Sequence, residues 1–213
     1  MLYRTFNKKE FPEDKILSKA EINEWCEYHG KYKKEKKNAR LPLTLWNRGF
    51  HLMEPNVILN WLGSDIYVLE YDNTDEFYDF DGIVVARRVR KIGLANWDDR
   101  IARLFAAWCA EQVKYLNANA EQVIEIIKNY ANGLATKKEK DDAILGTNFG
   151  KEDSASKLAL GAAFLSGDDD PYLAAMQAST LSIMAEHKDT LDDISIIIKK
   201  RTDQLSLVLE NGI

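Results

Sequence analysis

Two cysteines and three histidines are the residues of this chain best suited to hold a metal or serve as nucleophile and base. Cys26 and His29 stand at Cys-x-x-His spacing, which could supply two zinc ligands. A structural zinc site takes four ligands, and Cys109, His51 and His187 lie on distant segments without a second paired motif. The pair therefore reads as structural, with Cys26 on the buried side of a first helix and His29 near its C-terminal end. Cys109 could attack a substrate with a remote histidine as base. Its neighbours at helical spacing, Phe105 and Trp108, instead place it on an apolar face, where a thiol behaves as a small hydrophobe.

The carboxylates Asp72, Asp75, Glu76, Asp79 and Asp81 cluster densely enough for Mg²⁺ binding or acid–base work. They fall in turn-forming sequence, where aspartate satisfies backbone donors. Asp168-Asp169-Asp170 reads as a loop and helix cap, without the alternating spacing and distal glutamate of an EF-hand. No glycine-rich phosphate loop, nucleophile elbow or dinucleotide fingerprint occurs. The expectation is a protein that is not an enzyme and needs neither metal nor cofactor.

Charge suggests binding instead. Lys31 to Arg40 holds six basic residues and one acid, and Arg87, Arg88, Arg90 and Lys91 recur along one apparent strand. Such runs are commonly solvated linkers or charged strands that block edge-to-edge pairing. Their sharper reading is a surface for an acidic partner, which selects Lys33, Lys34, Lys36, Lys37, Arg87, Arg88 and Arg90 as contact residues. With Tyr32, Trp46 and Phe50 available for stacking, the same surface could hold nucleic acid. Asp168 and Asp169 are the contact candidates on the acidic side.

The elements that must position these groups follow from composition and periodicity. The chain has 213 residues, 29 basic and 34 acidic, and is 46% hydrophobic, which excludes a wholly disordered or collagenous chain. Its longest uncharged stretch, Pro171 to Ala185, has 15 residues, short of the roughly 20 of a membrane span. The first residues lack the apolar core of a signal peptide, so a soluble, cytoplasmic protein is expected. Residues 1–95 carry 16 basic and 15 acidic groups, while residues 96–213 carry 13 and 19. Opposed charge of this kind suits docking to a protein partner or self-association.

Three segments are expected. Residues 1–40 read as a helix, opened by the capping-box pattern Ser18-x-x-Glu21 and followed by the basic arm. Residues 41–95 read as a small antiparallel meander. Its first hairpin joins Val57–Leu62 to Asp65–Tyr71 through Gly63-Ser64, and its second joins Glu76–Phe80 to Ile83–Lys91 through Asp81-Gly82. Residues 96–213 read as an array of five or six helices. Asn96 caps the first, with Asp98 and Asp99 in its first turn; Asn132-Gly133 ends the second; Thr136-x-x-Glu139 boxes the third. A fourth covers Ser154 to Leu165, Asp170-Pro171 opens a fifth, and a last runs from Thr190 to Leu209. The fold class is α+β, mostly α.

In the helical half, the stretches Arg103 to Val113 (with Arg103-Leu104-Phe105-Ala106 and Cys109-Ala110), Val123 to Thr136 (ending Tyr130-Ala131-Asn132-Gly133-Leu134-Ala135-Thr136) and the closing Lys200 to Leu209 (with Gln204-Leu205-Ser206-Leu207) follow in a familiar order. Over residues 97–210 the chain resembles a family of alanine-rich helical proteins of bacteria and phages that are labelled immunity proteins. Relatives carry longer alanine repeats than Leu158–Ala163 and Tyr172–Ser179 supply here. The resemblance implies a non-catalytic bacterial or phage protein that occludes a protein target, a toxin or a host defence factor. A phage structural or accessory protein, and a nucleic-acid-binding module using the basic segments, are the alternatives.

Overall fold

The computed structural model describes residues 2–6, 12–29, 43–45, 48–146, 153–187 and 191–211. The chain divides into two compact units, Met1–Ala95 and Asn96–Ile213. The first is built on an antiparallel sheet and the second on helices, the α+β architecture expected.

The first unit contains strands β1 (Leu2–Phe6), β2 (Trp25–Glu27), β3 (Phe50–Met53), β4 (Asp65–Tyr71), β5 (Phe77–Phe80), β6 (Ile83–Ala86) and β7 (Arg88–Leu94). It also holds helix α1 (Pro12–Lys19) and the single turn α2 (Pro55–Ile58). The strands form one sheet in the order β2-β7-β4-β1-β3-β6-β5, so the sheet is larger than the expected meander and not in sequence order. β1 lies near its middle, between β4 and β3. The described part of the first forty residues thus supplies two strands as well as a helix. One face buries Phe50, Leu52, Leu69, Val84, Ala86 and Val89 with Leu17 and Ala20 of the α1 region. Tyr3, Ile66 and Val85, which alternate with core residues along their strands, are also buried, and α2 packs on β1 and β3.

Three local expectations are corrected. The helix expected from Ser18 is absent: α1 ends at Lys19, Asn23 adopts φ 67°, and Trp25–Glu27 continues as β2 against β7. Asparagine tolerates that left-handed turn, and the Asn23 amide donates to the Lys91 carbonyl at 2.7 Å, so strand pairing overrides the helical spacing of Ile22, Trp25 and Cys26. The strand expected at Val57–Leu62 is a helical turn. Pro55 occupies the first helical position and Ile58, Leu59 and Leu62 bury their side chains. The long strand Ile83–Lys91 breaks at Arg87, where the chain changes neighbours from β5 and β3 to β2 and β4.

The second unit contains α3 (Asp99–Glu111), α4 (Asn119–Ala131), α5 (Lys137–Leu145), α6 (Ser154–Leu165), α7 (Pro171–Glu186) and α8 (Leu191–Asn211). Its start signals act much as read. Thr136 and Glu139 form both bonds of a capping box, and the Asp170 carboxylate accepts from the Tyr172 and Leu173 amides before Pro171 opens α7. The first helix is capped by Asp98, whose carboxylate accepts from the Ile101 amide at 2.8 Å, and not by Asn96. Small residues on α3, α6 and α7 (Ala107, Ala110, Ala159, Ala162, Ala163 and Ala185) let helix backbones approach around Val123, Ile124 and Ile127 of α4. Among the described residues no helix is long and apolar enough to cross a membrane.

Candidate partner-binding surface

The basic strand does not lie at an edge of the sheet. β7 is an interior strand, paired with β2 on one side and β4 on the other, so the expected charged edge is corrected to a sheet interior. Each cation from Arg87 to Lys91 meets an internal acceptor. Arg87 is 3% exposed; its Nε donates to Glu76 Oε2 at 2.9 Å and its Nη1 to the Tyr28 carbonyl at 3.4 Å. Arg88 pairs with Asp72 at 3.1 Å and Arg90 with Glu70 at 2.6 Å, and both guanidiniums lie over the Trp25 ring. Lys91 donates to the Leu17 carbonyl and sits over Tyr67. Hydrogen bonds from Thr74, and then the Arg88 cation, hold the Asp72 carboxyl below its usual range. Strand alternation alone could not reveal this, because the acids that compensate the arginines sit on β4 and in the turn after it.

Phe50, a stacking candidate, is fully buried beside Tyr28 and is withdrawn from any surface. Lys33, Lys34, Lys36 and Lys37, with Tyr32 and Trp46, lie outside the described residues.

Asp168 and Asp169 belong to a clamp. Arg103 of α3 donates from Nη1 to the Asp168 carbonyl at 2.6 Å and from Nη2 to the Asp169 carbonyl at 2.7 Å. Lys140 of α5, 1% exposed, donates to the Gly167 carbonyl at 2.8 Å and to the Asp169 carboxylate at 2.7 Å. Lys137 binds the same carboxylate at 2.6 Å. Bonds from Lys137 and then Lys140 lower the Asp169 carboxyl from 3.8 to about 2. Both cations lie over the Tyr130 ring in part: Arg103 at 5.3 Å and Lys140 at 5.5 Å. The aspartates therefore fix the entry to α7, although Asp169 itself remains exposed. The adjoining cleft of about 400 Å³ is lined by Ile144, Phe164 and Leu165 together with these paired charges.

Both thiols are buried and free of disulfide. Burial pushes the Cys109 thiol up to about 12, against a smaller opposing influence of Arg201, and burial also raises Cys26. Among the described residues no group of three or more His, Cys, Asp or Glu side chains is placed to hold a metal ion.

Among the described residues, no strand pairs with the outer side of β5. β5 ends the sheet, and its Phe77, Tyr78 and Phe80 are 37%, 44% and 39% exposed. The Asp81-Gly82 turn fixes the hairpin: both residues have positive φ, 49° and 82°, the conformation that tight hairpins require. Phe77 meets Tyr71 on one face, with ring centroids 4.9 Å apart, and Tyr78 meets Phe80 on the other at 6.2 Å. Asp79 and Asp81 are exposed and form no ion pair among the described residues. A legible signal was present: aromatics at three of four consecutive strand positions must project on both faces. Comparison of the chain with protein-family models, with curated proteins and with solved structures finds no match.

Proposed function

We propose that this chain is a non-catalytic binding protein that acts by occluding another protein, an inhibitor of the immunity or anti-defence type. The observation that carries the reading is the exposed aromatic edge Phe77-Tyr78-Asp79-Phe80. Aromatic side chains supply large contact area at small entropic cost and are enriched at protein interfaces. Rim carboxylates at Asp79 and Asp81 add charge selectivity and steer encounter. The described basic residues favour this reading over a nucleic-acid module. Arg87, Arg88 and Arg90 are engaged by carboxylates of the same unit, and phosphate would have to displace those carboxylates to be bound. The resemblance of residues 97–210 to immunity-type proteins supports the biological setting.

Capture of partners by the tagged protein from bacterial and phage-infected lysates, with and without nuclease, tests the reading. It predicts one stoichiometric protein that survives nuclease and loses its own activity in the complex. Recovery of nucleic acid alone, with capture abolished by nuclease, overturns it.

A further inference from the structure

The edge itself narrows the kind of partner, and the step rests on the protein-binding reading above. The two ends of the sheet differ. β2 is three residues long, and its Trp25 is covered by Arg88 and Arg90 at 4.9 and 5.0 Å. β5 is one residue longer, carries a single charge at Asp79, and lacks lysine, proline and bulges, its register with β6 running unbroken from Phe77↔Ala86 to Phe80↔Ile83.

The hydrogen-bond phase follows from one contact. The Arg87 amide donates to the Glu76 carbonyl at 3.0 Å, so Glu76 faces inward to the neighbouring chain. In an antiparallel ladder inward and outward residues alternate. Tyr78 and Phe80 therefore bond β6, while the N–H and C=O groups of Phe77 and Asp79 point away from it, to the side where no described strand lies. Side chains alternate in the same register, with Phe77 and Asp79 on one face and the Tyr78–Phe80 pair on the other.

We infer that β5 is a strand-addition site for an extended partner segment in which basic and apolar residues alternate. Backbone pairing at Phe77 and Asp79 supplies register-fixed hydrogen bonds, as in other cases of β-augmentation. Partner side chains on the Asp79 face meet a carboxylate with no ion pair among the described residues, which selects lysine or arginine. Those on the other face meet Tyr78 and Phe80, which selects aliphatic residues. A second copy of the chain fits less well, because it would set Asp79 and Asp81 against an equally acidic strand.

The probe is an eight-residue peptide alternating lysine and valine, with a glutamate–valine peptide and a block peptide of four lysines and four valines as controls. Added to the full-length protein, the lysine–valine peptide is expected to slow amide exchange of Phe77 and Asp79 about tenfold. Asp79→Pro removes the outward N–H without touching a bond to β6, and is expected to weaken peptide binding at least about tenfold. Asp79→Asn keeps the N–H and is expected to weaken binding only about threefold. Asp79→Lys keeps the strand and should exchange the preference to the glutamate–valine peptide, which secures the test if the proline variant misfolds. Equal binding of the two alternating peptides, equal binding of the block peptide, or undiminished binding to Asp79→Pro overturns the inference. So does a concentration-dependent dimer in sedimentation that Asp79→Pro abolishes, since the occupant is then a second copy. A lysate partner retained by Asp79→Pro leaves the inhibitor reading standing while strand addition falls. Peptide binding without any nuclease-resistant lysate partner has the opposite effect.

Discussion

Arg87 donates to Glu76 and to the Tyr28 carbonyl from a site almost closed to water. Removing one partner of such a pair leaves a charge in a poor environment, which costs more than the pair contributes. Arg87→Met is expected to destabilise the protein by about 3 kcal/mol, read from the urea midpoint. Replacing Glu76 as well, in Arg87→Met/Glu76→Leu, should recover part of that loss; a double variant no better than the single would refute the pairing argument. Cysteine chemistry is decided at the same scale. Cys109, raised to about 12 by burial, and Cys26, raised in the same direction, stay protonated and shielded near neutral pH. Native protein should react slowly with a thiol reagent at about pH 8, and two thiols should react rapidly once denaturant is added.

Turns and helix entries carry the element scale. Gly82 has φ +82°, and a Cβ there would stand 3.0 Å from Val57 Cγ2, so both backbone and space resist a side chain. Gly82→Ala should destabilise the protein by about 1–2 kcal/mol and speed exchange of the β5 and β6 amides, whereas Asp81→Gly should be nearly neutral. At the entry to α7, Asp169 is the acid that Lys137 and Lys140 hold. Its folded-state carboxyl lies near 2 against an ordinary 3.8, so it favours folding above about pH 4 and loses that effect as pH falls towards 2. Asp169→Asn is expected to be less stable than wild type at neutral pH, with the gap closing between about pH 4 and 2. A gap unchanged at about pH 2 would show that the carboxylate is not what matters.

For the whole molecule, the chain divides at Ala95 and Asn96 into two compact units, and each contains a hydrophobic cluster of its own. The Asn96 amide donates to the Leu209 carbonyl, which joins the start of the helical unit to its last helix, and the Ala95 amide donates to Ile66 in the sheet unit. A fragment of residues 96–213 is well above the minimum size, roughly 55–65 residues, at which single domains fold alone. It should show helical circular dichroism and a cooperative thermal transition; a fragment that is unfolded, or melts without cooperativity, would show that its core depends on the rest of the chain.

The helical unit was the more legible because its signals are local. Thr136 and Glu139, Asp170 and Pro171, and Asn132 with Gly133 act within one turn of the residues they cap, so sequence neighbours are spatial neighbours. The Asp81-Gly82 hairpin was read for the same reason. Sheet order was not legible, since β1 pairs with β4 across some sixty residues of chain and β2 with β7 across a similar span. Trp25–Glu27 therefore read as helix, and Arg88 and Arg90 read as a free basic face. The sequence by itself determined the α+β class, the helix boundaries near their caps, and the buried place of Cys109, because propensity and periodicity act through near neighbours. Only the tertiary structure decided that Glu76, Asp72 and Glu70 neutralise the arginines and that the aromatic strand β5 ends the described sheet. Charge compensation and edge position depend on which distant strands meet, and no single segment encodes that.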